Sequence, residues 1–183
     1  MTRVLFETCV SDPAPMLSLP VMLGDNESSH KFAAYDMAGP QDGLERWRSS
    51  LSVVRSVVRR SDNLPCVIKQ IRKSNCRSLR AVKRVDREIR ILKFLRHPGI
   101  IPLLDTWQSR EHVLIVFKEY KVDLFGFMGL YKNGMCEEYV IQILRSAADA
   151  VQYMHQQGVY HLDIKPENLV SEPSRVAAVK HML

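Results

Sequence analysis

The chain has 183 residues, 46% of them hydrophobic and 25% charged, enough for one ordinary domain with its own core, or a domain plus a tail, but too short for two large lobes. Its net charge of +6 comes from an excess of Lys and Arg spread through residues 46 to 96 ("RWR", "VVRR", "IRK", "RSLRAVKR"), which reads as a solvated basic face or, alternatively, a docking surface for phosphates or acidic partners. No aromatic residues interleave with these charges as a base-stacking surface requires, so nucleic acid is not an expected partner.

The sequence opens with a segment, residues 1 to 45, in which Pro13, Pro15, Pro20, Gly24, Gly39, Pro40 and Gly43 interrupt short apolar patches; it is expected to be a poorly ordered arm. Its prolines and acids also break up any signal-peptide core. Cys9, Cys66, Cys76 and Cys136 lie far apart with no CxxC pair, which argues against a zinc site or a disulfide framework and for a reducing compartment. No apolar run approaches the roughly 18 to 20 residues of a membrane span. The expected location is therefore intracellular, cytoplasmic or nuclear, with no membrane partner.

Regular patterning begins near Leu51. "LSVVRSVV" and "PCVIKQI" are runs rich in β-branched residues around the turn-forming "RRSDNL", and predict an antiparallel hairpin. In "SLRAVKRVDREIRILKFLRHPG", Leu79, Val82, Val85, Ile89, Leu92 and Leu95 recur at spacings of three and four, which predicts an amphipathic helix ended by His97-Pro98-Gly99. Two further strands, "IIPLLDTWQ" and "HVLIVFKEY", follow around "SREH". A second long helix is predicted from Glu137 to about Gln156, with Val140, Ile141, Leu144, Ala147, Ala148, Val151 and Met154 on one face and Gly158 at its stop.

Two charged residues stand out against this pattern. Glu88 sits on the apolar stripe of its helix, where a carboxylate needs a partner, and Lys69 in the apolar strand "CVIK" is the candidate. The alternative is that both snorkel to water independently. Further on, "HLDIKPEN" sets Asp163, Lys165 and Asn168 along one short loop in which Pro166 forbids a regular helix. A carboxylate, an ammonium and an amide so grouped suit phosphoryl transfer: a proton acceptor, a charge-neutralising cation and an oxygen for Mg²⁺.

With these motifs in place, the chain from about residue 46 to 182 resembles the eukaryotic protein kinase family of the Ser/Thr type. The resemblance implies an α+β, protein-kinase-like fold: a small antiparallel-sheet N-lobe with one helix (46 to 117), a hinge (118 to 122), and the start of a helical, incomplete C-lobe (123 to 183). It makes Lys69 the strand lysine that holds the ATP phosphates and Glu88 its helix partner. Phe117 falls at the gatekeeper position, and Lys118, Glu119 and Tyr120 where backbone meets adenine. Asp163 resembles the catalytic base, Lys165 the phosphate-binding lysine and Asn168 a Mg²⁺ ligand, while His161 reads as structural. The implied ligands are ATP and Mg²⁺, and the implied substrate is a protein Ser or Thr hydroxyl.

The sequence departs from the family pattern in three places. The stretch "WRSSLSVV", where the phosphate-covering loop should lie, contains no glycine, so weakened nucleotide binding is expected. Leu162 replaces the usual Arg, which implies independence from an activation-loop phosphate. "SEPSRVAAVKHML" reaches Leu183 about where the DFG motif would begin, so the kinase pattern is read as truncated there. On that reading the apolar face of the second helix lacks its cover, which predicts a partner or chaperone over it, and a pseudokinase or interaction fragment without phosphotransfer is the alternative function.

Overall fold

The computed structural model describes residues 45 to 171, together with residues 3, 4, 31 and 33 to 37. These fall into two compact units. One is drawn from Leu17–Lys93 and Pro102–Glu119, the other from Met1–Met16, Phe94–Ile101 and Tyr120–Leu183.

The first unit is an antiparallel sheet. Strands β2 (Tyr35–Met37), β3 (Glu45–Arg48), β4 (Ser52–Arg59), β5 (Leu64–Arg72), β6 (Leu103–Gln108) and β7 (His112–Lys118) are ordered β2-β4-β5-β7-β6, with β3 also on β4. The expected hairpin is β4–β5, in register from Ser52 opposite Ile71 to Arg59 opposite Leu64. Its turn needs one left-handed residue, supplied by Asn63 at φ 54°, a residue type whose short polar side chain tolerates that region. Asp62 supports the same turn: its carboxylate accepts from the Leu64 N–H and from both arms of Arg59.

Side chains alternate across the pleat. Cys66 and Ile68 point to a closed core shared with Tyr35, Val57, Trp107, Leu114 and Val116, in which the Tyr35 and Trp107 rings stack at 5.7 Å. Lys69 therefore lies on the opposite face, with Val67 and Ile71. The sequence continues from β5 through a 3-10 turn, Lys73–Asn75, into helix α1 (Leu79–Phe94), which buries Val85, Ile89, Ile91 and Leu92. Leu79, expected on that face, is exposed at the first turn.

Tyr35 belongs to the segment read from its Pro and Gly content as an arm. Three residues of that segment, β2, pair with β4 from Tyr35 opposite Arg59 to Met37 opposite Val57, and place Tyr35 in the core. Most of the remainder of residues 1 to 45 lies outside the described residues. Several basic residues of this unit are ion-paired: Arg48 with Glu45, Arg59 with Asp62, Arg60 with Asp36, and Arg90 with Asp86.

The second unit holds helices α2 (Leu124–Met128) and α3 (Glu137–Gln156) and a small sheet in which β9 (Leu169–Ser171) lies between β1 (Arg3–Val4) and β8 (Val122–Asp123). Asp123 caps α2 by accepting the Gly126 N–H at 2.7 Å. α3 buries Ala147, Ala150 and Met154, whereas Val140, Ile141 and Leu144 of its predicted apolar face are exposed. His97 anchors the loop before β6 within this unit: its Nδ1 accepts the Gly99 N–H, its Nε2 donates to Asp149 at 3.3 Å, and its ring stacks on Tyr153. Gly99 is needed there because a Cβ would stand 2.9 Å from that of Ala150. The fold is the α+β arrangement expected, an antiparallel sheet with one helix followed by a largely helical unit. Residues 172 to 183, the expected approach to a DFG motif, lie outside the described residues.

Candidate active site

In the sheet unit, the two charges singled out in the sequence meet. Lys69 Nζ donates to Glu88 Oε1 at 2.7 Å, with the two side chains only 12% and 15% exposed. β5 positions the lysine by its register, opposite Val54 on β4 and Ile115 on β7, and α1 positions the glutamate between the buried Val85, Ile89 and Leu92. An ammonium and a carboxylate this poorly hydrated are stable only together, so independent snorkelling is replaced by a pair. Paired, the ammonium is held in one place while it keeps two further N–H groups to offer.

Phe117, the penultimate residue of β7, lies opposite Val67 and Leu103, and Lys118, which ends the strand, pairs with Cys66. The N–H of Glu119 donates to the Pro65 carbonyl. Its carboxylate, 14% exposed, accepts from Arg46 at 2.6 Å and from the Ser56 hydroxyl at 2.7 Å, while Arg46 Nε also donates to Ser56. Glu119 is therefore braced to β3, β4 and β5 at once. The bracing residues Arg46 and Ser56 escaped the sequence reading, since only the strand register brings positions 46, 56 and 119 together.

In the second unit the loop after α3 alternates: Val159 and His161 are buried, Tyr160 and Leu162 exposed. His161 Nδ1 accepts the Asp163 N–H, a structural role as expected of it. Leu162 takes φ 60°, a left-handed conformation that costs a residue with a Cβ about 1 kcal/mol or more. That strain turns the backbone so that Asp163, Lys165 and Asn168 converge. Lys165 Nζ lies 2.9 Å from Asp163 Oδ2, and the Asn168 amide donates to both the Asp163 carbonyl, at 2.8 Å, and Oδ2, at 2.9 Å. The 3-10 turn Pro166–Asn168 brings Asn168 back beneath the aspartate and leaves it 3% exposed.

Lys165, more than any other group, holds the Asp163 carboxyl below its ordinary value of 3.8, with Asn168 and His161 assisting and partial desolvation opposing. Asp163 is thus an ionised acceptor at neutral pH. The Asn168 nitrogen is engaged by Asp163, so its oxygen is the atom suited to a hard cation. Among the described residues no three His, Cys, Asp or Glu side chains gather as a metal cage.

A carboxylate acceptor beside an ammonium and an amide oxygen is a grouping whose chemistry suits phosphoryl transfer. The protein kinase domain model matches residues 48–180, well over half of the sequence, and the chain belongs to that family. It is 39% identical over 87 residues to a calcium/calmodulin-dependent protein kinase type 1 from Macrobrachium nipponense, covering 47% of this chain and 25% of that one. It is 33% identical over 156 residues to a probable myosin light chain kinase from Dictyostelium discoideum, covering 85% and 38% respectively. Mouse death-associated protein kinase 2 is 31% identical over 132 residues, 70% of this chain and 35% of the relative. The chain thus spans between a quarter and two fifths of the length of these relatives. The family as a whole uses ATP with Mg²⁺ and acts on protein hydroxyls. No helix among the described residues is long and apolar enough to cross a membrane.

Proposed function

We propose that the chain acts in ATP-dependent transfer of a γ-phosphoryl group to a protein Ser or Thr hydroxyl. The observation that carries this reading is the Asp163–Lys165–Asn168 cluster, all of whose contacts lie at hydrogen-bonding distance. Asp163 accepts the proton of the attacking hydroxyl. Lys165 neutralises charge that develops on the transferred phosphoryl oxygens, and Lys69, fixed by Glu88, holds the α- and β-phosphates. Backbone groups of Lys118 and Tyr120 take the adenine edge beside Phe117, while Glu119, already engaged on both its N–H and its carboxylate, acts as a brace. Asn168 would hold Mg²⁺ through its amide oxygen; when bound, the ion supplies charge neutralisation between phosphate oxygens.

A second reading, an interaction protein without phosphotransfer, is favoured by one feature: the turn that should cover the phosphates has no glycine. The two readings separate in an assay with Mg-ATP labelled at the γ-phosphorus and a Ser/Thr-containing protein acceptor. The enzymatic reading expects label on serine or threonine that Lys69→Met and Asp163→Asn each abolish. Label absent from the wild type, or unaffected by both substitutions, would leave the interaction reading.

A further inference from the structure

The turn between β3 and β4 replaces a glycine-rich loop with Ser49, Ser50 and Leu51, and its hydrogen bonds are closed on themselves. The Ser49 N–H donates to the Ser52 carbonyl at 2.8 Å. The Ser49 hydroxyl oxygen then accepts both the Leu51 N–H, at 3.2 Å, and the Ser52 N–H, at 3.1 Å, and lies 3.2 Å from the Ser52 hydroxyl. Outward bonds pin the same turn: Asn75 donates to the Ser50 carbonyl at 2.9 Å, and the Arg72 N–H to the Leu51 carbonyl. No residue of the turn takes a positive φ, so serine and leucine fit it without strain. The flanking guanidinium of Arg48 is engaged by Glu45 at 2.8 Å, and that of Arg46 by Glu119.

A backbone loop binds phosphate by aiming unsatisfied N–H groups at it. Here the donors of Ser49, Leu51 and Ser52 are all occupied within the turn, and the Ser49 hydroxyl occupies two of the three. We propose that Ser49 sets the phosphate affinity of this chain, by keeping the Leu51 and Ser52 N–H groups from a nucleotide triphosphate. This inference rests on the nucleotide-handling reading above and deepens it: the missing glycines weaken phosphate binding less through a stiffer backbone than through a side chain that competes with the ligand for its donors. Ser49 is a positioning residue in this scheme, since it acts only through backbone groups next to it.

Removing the hydroxyl takes away the acceptor that now engages the Leu51 and Ser52 N–H groups. One or so recovered hydrogen bonds to phosphate correspond to a gain of roughly three- to tenfold in affinity. The test is calorimetric titration of the full chain with Mg-ATP and, separately, with adenosine, which lacks phosphates. Ser49→Ala and Ser49→Gly are expected to tighten Mg-ATP by that factor and leave adenosine unchanged. Ser49→Thr, which keeps the hydroxyl, is expected to match wild type. Melting curves on the same samples show which variants are folded, with Ser49→Gly standing in if Ser49→Ala is not. If both ligands bind and the hydroxyl-free variants leave Mg-ATP unchanged, or shift both ligands equally, the role of Ser49 is overturned while nucleotide handling stands. If neither ligand binds wild type or any variant, both are overturned.

Discussion

The Lys69–Glu88 pair yields a prediction whose size follows from its surroundings. Lys69→Met keeps the apolar stem and removes the ammonium, leaving the Glu88 carboxylate among Val85, Ile89 and Leu92 with only 15% of its side chain exposed. Breaking a fully buried pair by removing one partner costs about 3 to 5 kcal/mol, and the residual hydration on both sides here places Lys69→Met near the bottom of that range, at about 3 kcal/mol. Glu88→Gln retains a neutral hydrogen-bond acceptor for the ammonium and is expected to cost about 2 kcal/mol. In the double variant a neutral amide faces a methionine, so the total should be about 3 rather than 5 kcal/mol, a coupling of about 2 kcal/mol.

Urea denaturation followed by tryptophan fluorescence measures this in the right place, because both tryptophans of the chain, Trp47 and Trp107, lie in the sheet unit with the pair. Single substitutions that add within about 0.5 kcal/mol would refute the reasoning, since additivity is what two independently hydrated charges would show.

Other outcomes follow from the same structure. Asp163 should titrate below 3.8 in a carboxyl NMR experiment and move upward when Lys165→Met removes the principal cause of its depression. Its lowered value means that its contribution to stability is fully present above pH 3.8 and is lost as the pH falls through the folded-state value, with no loss between pH 5 and 8. Gly99→Ala forces contacts of 2.9 Å with Ala150 and 3.1 Å with His97, and should lower stability by about 1 to 3 kcal/mol in a thermal melt. Ser56→Ala takes one of two partners from the Glu119 carboxylate at a buried site, and should cost about 1 kcal/mol in the same measurement. Leu144→Lys, on the exposed stretch of α3, should change stability by no more than about 0.5 kcal/mol and reduce self-association in light scattering.

The parts of this molecule that could be read from residues alone are those where neighbours along the chain decide the outcome. The three- and four-residue spacing of Val85, Ile89 and Leu92 specifies α1, and a glutamate set on that stripe announces its need for a cation before any lysine is located. Ser61-Asp62-Asn63 marks a turn because its side chains and its left-handed residue are local devices. The strand β2 was hidden for the opposite reason: three residues among glycines and prolines have no period of their own, and only the edge of β4 makes them a strand. The Arg46–Ser56–Glu119 brace spans 73 positions from Arg46 to Glu119 and depends on register alone.

The turn between β3 and β4 lies between these cases. Its lack of glycine is visible in "WRSSLSVV", and weakened nucleotide binding is the consequence expected of it. That the Leu51 and Ser52 N–H groups donate to the Ser49 hydroxyl is a matter of geometry, legible only in the fold, and it is the ground for the competition proposed above. Leu162 is similar: its identity could be noted as a departure, but the left-handed backbone that turns Asp163 toward Asn168 emerges only from the fold.

The most direct test of the central claim is the single-turnover rate of γ-phosphoryl transfer to a serine-containing protein acceptor, at saturating Mg-ATP, for the wild-type chain and for Asp163→Asn. A general base of this kind contributes about 10² to 10⁴ in rate. The substitution is therefore predicted to slow transfer by at least about 10²-fold while leaving Mg-ATP affinity unchanged. Transfer by the wild type that proceeds equally fast without the Asp163 carboxylate, or no transfer at all, would contradict it.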